Sequence, residues 1–299
     1  MKNNTEWLRG CATALVTPFK NDGAIDEDCL RALIERQITG GVKLLVPCGT
    51  TGESATMATE EDQRVIRITV EMAQGRAKVI AGASNNNTRF AIRNARNAAL
   101  LGADAVMFAA PYYNKPTQAG LYAHYRAIAE ALPETSIVIY NVPGRTAVNV
   151  KAETTLRLAN DCANIVAVKE ASGDVAQIME ILRDRPEGFR VLSGDDALTL
   201  ALIALGADGL VSVISNETPE FTSQMVNACL AEEWAVARKL HYKLLPLMNA
   251  NFVETSPGPV KAVMAMMGLL EETLRLPLVA VEASTRSQLK TIASDLGLI

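Results

Sequence analysis

The chain has 299 residues, of which 49% are hydrophobic, 21% charged and only 5% aromatic. That is the composition of a globular protein with an aliphatic core, long enough for two ordinary domains or one large α/β barrel. A formal net charge of -4 and a pI near 5.4 argue against nucleic acid as the main partner, because phosphate binding needs a clustered basic surface.

In chain order, short β-branched and aliphatic runs alternate with longer amphipathic ones. The predicted strands are CATALVTPF (11–19), KLLVPCG (43–49), KVIAGAS (78–84), AVMFAA (105–110), SIVIYNV (136–142), IVAVKEA (165–171), FRVLSGD (189–195) and GLVSVIS (209–215). Between them, Asp26 is placed to cap a helix carrying Leu30, Leu33, Ile34 and Ile38, stopped by Gly40 and Gly41. Thr59 with Asp62 resembles a capping box, and Thr88 precedes a helical run through Leu101 that Gly102 ends. An internal echo, LGADAVMFAA (101–110) and LGADGLVSVI (205–214), follows a helix and opens a strand in both places. Eight such units without a break in composition predict a closed (β/α)8 TIM barrel, with an open doubly wound sheet as the alternative. After Thr218 the strand signals cease, which predicts a C-terminal helical extension. The expected division is a catalytic barrel over 1–224 and a helical subdomain over 225–299.

Other features narrow the class. No apolar run approaches the ~18 residues of a membrane span. The start, MKNNTEWLRGCATALVTPF, lacks a basic segment followed by an apolar signal core, so a cytoplasmic protein is expected. Cys11, Cys29, Cys48, Cys162 and Cys229 are scattered, with no CxxC pair, and read as reduced thiols. His124 and His241 stand apart in helical patterns, which argues against zinc.

In a barrel of this kind, the strands' carboxyl ends and the loops after them build the active site. Strand six, IVAVKE, places Ile165, Ala167 and Lys169 on one face by simple alternation. A lysine held on a buried face loses hydration, which disfavours its charged form and makes the amine a nucleophile. The plain alternative is a lysine that snorkels to water or pairs with a carboxylate. The loop GTTGES (49–54) offers bare amides beside Thr50 and Thr51 to an anionic oxygen, although such loops are commonly just turns. PYYNKP (111–116) ends strand four. In YNVPGRT (140–146), Tyr140 shares a face with Val138 and can pass protons, or can simply pack its ring. Arg145 can fork onto a carboxylate, or pair with any surface acid. SGDD (193–196) puts Asp195 and Asp196 where a sugar-phosphate barrel would hold its phosphate. They would repel it, and could instead hold Mg²⁺ or cap a helix.

Taken together and in this order, GTTGES, PYYNKP, YNVPGRT, VKEASGD and SGDD closely resemble the dihydrodipicolinate synthase / N-acetylneuraminate lyase family of Schiff-base barrels, from about Gly10 to FVETSPGPVK (252–261). The resemblance implies that Lys169 condenses with pyruvate, that Tyr140, Thr50 and Tyr113 form a hydroxyl proton relay, and that Tyr113 comes from a neighbouring subunit. It also implies that Thr51 holds the pyruvate carboxylate and that Gly194 and Val211 contact the substrate and the lysine. Arg145 matches the arginine that receives the carboxylate of aspartate semialdehyde. That points to condensation of pyruvate with L-aspartate semialdehyde, the first committed step of lysine and diaminopimelate synthesis, in a homodimer or homotetramer without cofactor or metal. The alternatives are a pyruvate-releasing aldolase of a sugar acid, of N-acetylneuraminate or keto-deoxygluconate type, and a non-catalytic small-molecule-binding barrel. Two departures are Ala147, where many members have glycine, and SPGPVK in place of NPIPVK. At the candidate effector site Ser54, Asn86 and Tyr112 fit the family. Thr59, Asp62 and Phe90 replace its histidines and glutamate, and weak or absent inhibition by lysine is expected.

Overall fold

The structure, a computed structural model, describes residues 5–299. All eight predicted strands form: β1 (Gly10–Ala14), β2 (Leu44–Val46), β3 (Lys78–Gly82), β4 (Ala105–Ala109), β5 (Ser136–Asn141), β6 (Ile165–Glu170), β7 (Arg190–Ser193) and β8 (Gly209–Ser212). They pair in parallel in chain order, and β8 pairs with β1 to close the barrel. The open-sheet alternative is thereby excluded. The strands are shorter than the apolar runs because those runs continue into the loops at the strands' carboxyl ends.

Helices α1 (Glu27–Thr39), α2 (Thr59–Ala73), α3 (Thr88–Leu100) and α4 (Gln118–Ala131) connect the first five strands. A short α5 (Pro143–Thr146) and then α6 (Ala152–Asp161), α7 (Val175–Asp184) and α8 (Thr199–Ala204) connect the rest. Alternation sorts the strand residues into two layers. Ala12, Leu44, Ile80, Met107, Val138 and Val211 fill the barrel, while Leu45, Val79, Val106, Ile139, Val168 and Leu210 pack outward into the larger core.

Simple alternation fails at one place. The β5–β6 register runs from Ile137↔Ile165 directly to Val138↔Ala167, so Val166 has no partner of its own. Across this bulge Ile165 joins the outer core and both Val166 and Ala167 the inner one. Ala167 and Lys169 do share a face; Ile165 does not.

Asp26 caps α1, its Oδ1 accepting from the Cys29 N–H at 3.1 Å. The box expected from Thr59 and Asp62 lies one residue earlier: Glu61 accepts from the Ala58 N–H at 2.9 Å, and Thr59 is already helical. Asn87 caps α3 through the Arg89 N–H at 3.0 Å. The LGAD echo is structural. Asp104 accepts from the Val79 N–H at 2.9 Å and pairs with Lys78 at 2.7 Å. Asp208 accepts from the Val191 N–H at 2.9 Å and pairs with Arg190 at 3.0 Å. Each aspartate thus pins the start of the neighbouring strand, β3 or β7, at opposite sides of the barrel.

After β8 come α9 (Pro219–Leu230), α10 (Trp234–Ala250), α11 (Gly258–Met266) and α12 (Ala283–Asp295). Position 224 falls inside α9, which packs on both β1 and α10. Among the described residues no helix is long and apolar enough to cross a membrane.

Candidate active site

Lys169 lies between Tyr140 of β5 and Leu192 of β7 in the barrel register. Its side chain is 5% exposed and its Nζ stands 4.1 Å from the Tyr140 ring centroid. Among the described residues no carboxylate pairs with it. Neither plain reading of a strand-end lysine, snorkelling or ion pairing, therefore describes it. Gly194, just past β7, makes the room: a Cβ there would meet the Ala171 Cβ at 2.7 Å and the Lys169 Cε at 3.0 Å. Val211 of β8, 2% exposed, completes the apolar wall of the interior.

The next residue faces the other way. Buried Glu170 accepts from Asn141 Nδ2 at 2.7 Å, Ser172 Oγ at 3.1 Å and Gln177 Nε2 at 3.2 Å. Asn141 also accepts from the Val150 N–H at 2.9 Å. Burial raises the Glu170 pKa, and these donors oppose the rise. This network ties together the segments that follow β5 and β6, so the strand ends bearing Tyr140 and Lys169 are fixed relative to each other. Sequence reading missed it, because its members are ordinary polar residues on separate elements.

The loop after β2 presents Thr50 exposed and Thr51 buried. It is pressed against β3: a Cβ on Gly82 would come within 2.0 Å of the Cys48 carbonyl oxygen. A glycine inside a strand signals such an approach, and KVIAGAS carried that signal. Arg145 projects from α5 into solvent, with Nη2 donating to the Ser256 carbonyl at 3.3 Å. Ala147, where a glycine was the family pattern, sits at φ 60°, the left-handed region that disfavours a side chain. Tyr113 is at φ 73° with 89% of its surface exposed, so within one chain its ring is not packed into the barrel mouth.

Both acids of SGDD are engaged by the protein. Asp195 Oδ1 accepts from the Ala197 N–H at 2.9 Å and the Leu198 N–H at 3.2 Å, holding the turn that leads into α8, whose own first residue receives no side-chain cap. Asp196 accepts from Ser212 Oγ at 2.6 Å and the Val213 N–H at 2.9 Å. Burial pushes its pKa up to about 6 against those donors. Among the described residues no three His, Cys, Asp or Glu side chains group as metal ligands.

At the candidate effector cleft, Asn86 Nδ2 donates to the Tyr112 carbonyl at 3.3 Å, and Ser54 opens the short helical turn Ser54–Thr56. The Arg93 guanidinium lies 4.8 Å over the Phe90 ring and donates to Thr59 Oγ1 at 3.4 Å.

Residues 7–296 match the model of the Dihydrodipicolinate synthetase family. The chain is 55% identical over 98% of its length to the 4-hydroxy-tetrahydrodipicolinate synthase of Koribacter versatilis (strain Ellin345), covering 97% of that protein. Among solved structures, the dihydrodipicolinate synthase of Aquifex aeolicus superposes with a TM-score of 0.95 at 41% identity, over 97% of this chain and 98% of that one. A chloride-inhibited dihydrodipicolinate synthase of Acinetobacter baumannii, crystallised with pyruvate, does so with a TM-score of 0.95 at 41% identity, over 97% and 99%. With the barrel, the buried lysine and a match over nearly its whole length, the chain belongs to the Dihydrodipicolinate synthetase family.

Proposed function

We infer that this protein is a 4-hydroxy-tetrahydrodipicolinate synthase, a lyase of the class that works through a lysine imine, acting in lysine and diaminopimelate synthesis. The observation that carries the reading is Lys169, buried without an acid partner among the described residues and lying against Tyr140. The amine adds to the pyruvate ketone, and the carbinolamine loses the ketone oxygen as water to give an iminium. The iminium draws electrons from the adjacent methyl carbon, which loses a proton to form an enamine. That carbon attacks the aldehyde of L-aspartate semialdehyde. The amine of the semialdehyde then closes the ring on the former ketone carbon and displaces Lys169. Pyruvate is taken from the Acinetobacter baumannii relative, which was crystallised with it.

In this reading Tyr140 and Thr50 carry protons with Tyr113, Thr51 holds the pyruvate carboxylate, and Gly194 and Val211 shape the pocket around the imine. Arg145, exposed and with Nη2 donating to the Ser256 carbonyl, keeps a guanidinium available for the second carboxylate. The five unpaired cysteines are consistent with a cytoplasmic location.

Borohydride added with pyruvate is expected to leave one reduced three-carbon adduct per chain by mass, and none on Lys169→Ala. Turnover should be fastest with L-aspartate semialdehyde as partner. Faster turnover of N-acetylneuraminate or keto-deoxygluconate would assign the sugar-acid reaction instead, and no adduct on the intact protein would leave a binding barrel.

A further inference from the structure

A second lysine is buried even more deeply than Lys169. Lys261 of α11 and Glu53 of the GTTGES loop form an ion pair at 2.5 Å, both side chains with 0% exposure. Lys261 Nζ also donates to the Thr273 carbonyl at 2.9 Å, and Glu53 Oε2 accepts from the Arg275 N–H at 3.1 Å. The Phe19 ring meets both cations, its centroid 4.4 Å from Lys261 Nζ and 4.3 Å from the Arg275 guanidinium. Arg275 in turn donates to the Thr56 carbonyl at 3.1 Å and to Glu61 at 2.6 Å.

Stability alone is a poor reason for such a pair. Removing two charges from water costs several kcal/mol per ion, and apolar residues of like volume often serve as well. What a paired, hydrogen-bonded charge provides is one geometry. Glu53 stands at φ 55°, a conformation that non-glycine residues keep only where their surroundings enforce it. Its N–H donates to the Thr50 carbonyl at 3.1 Å, closing the turn that carries Thr50 and Thr51. The Gly52 carbonyl is held by Thr17 Oγ1 at 2.7 Å. On the other side, α11 follows directly on Ser256, whose carbonyl receives Arg145. One stretch of chain, 256–275, therefore touches both the loop assigned to pyruvate and the arginine assigned to the second substrate.

We propose that the Glu53–Lys261 pair is a positioning unit: it sets the Thr50–Thr51 turn for pyruvate capture and makes the C-terminal helical region a working part of the active site. The proposal rests on the imine reading above.

The test compares intact protein with Glu53→Gln, Lys261→Met and the double variant Glu53→Leu/Lys261→Met, which leaves no buried charge uncompensated. The double variant is expected to melt near the parent temperature. Its borohydride-trapped pyruvate adduct should form at least about tenfold more slowly, and its KM for pyruvate should rise by a similar factor, as misplacement of a binding turn predicts. The KM for the aldehyde should move less. A double variant that traps pyruvate at the parent rate, with an unchanged KM, overturns the proposal whatever its melting temperature. If the double variant does not fold, Glu53→Gln decides by the same rate and KM. Absence of any adduct on the parent protein overturns the imine reading itself and is distinguishable from either result.

Discussion

At the scale of single residues, the chemistry turns on what stands beside each charged group. Lys169 was legible as a candidate because its strand is apolar and ends abruptly, and the order of the motifs put Tyr140 and Gly194 beside it through the family resemblance. The fit itself, Nζ 4.1 Å from the Tyr140 ring in the room that Gly194 leaves, comes from pairing between strands and is not written in any local pattern. The same holds for Phe90, which reads as an exposed aromatic until Arg93 is seen stacked on it. A lysine effector would bring its ammonium to a cleft where no carboxylate replaces the family's glutamate and a guanidinium already sits. Like charges repel there, and an aromatic ring cannot accept as a carboxylate does. Initial rates are therefore expected to stay within error at 1 mM lysine, roughly a thousandfold above a micromolar effector affinity; half-inhibition below that concentration would refute the assignment.

At the scale of elements, the strands were legible because parallel strands are buried on both faces and so read as continuous apolar runs. The bulge at Val166 was not, since it arises from the pairing of β6 with β5. The start of α2 shows a subtler misreading. Asp62 looked like a capping partner, yet Glu61 takes that role and Asp62 turns inward beside Cys48, its Oδ1 buried without a partner among the described residues. Burial pushes the Asp62 pKa from its ordinary 3.8 up to about 7. The folded protein then holds this proton more tightly than the unfolded chain does. The resulting stabilisation is complete below the unfolded value and is lost as pH rises through 7. Asp62→Asn, which has no proton to lose, should gain on the parent protein as pH rises from 5 to 8. The gain should be on the order of 2 kcal/mol, or about 4–8 °C. Melting curves across that pH range check the sign, and a parent protein that gains on Asp62→Asn with rising pH would contradict it.

At the scale of the whole molecule, one chain leaves its proposed relay incomplete. Tyr113 faces solvent at 89% exposure on a backbone held in the left-handed region. The proposal that its ring serves a second copy, which the family resemblance implied, has a direct test. Lys169→Ala and Tyr113→Phe would then damage different halves of a shared site. Subunits exchanged between these two nearly inactive variants should recover about a quarter of parent activity, since half the pairs would be mixed and each would own one intact site. Activity no greater than the sum of the two variants would mean that Tyr113 serves no neighbour.

The paired aspartates at the other end of the barrel carry a last consequence. Asp104 fastens β3 and Asp208 fastens β7, so a cut between α4 and β5 would leave one fastener intact in each fragment. It would also part Thr50, Thr51 and Glu53 from Tyr140, Lys169 and Lys261. The barrel is thus built as two separately clasped hemispheres that must meet before either holds a complete set of reacting groups.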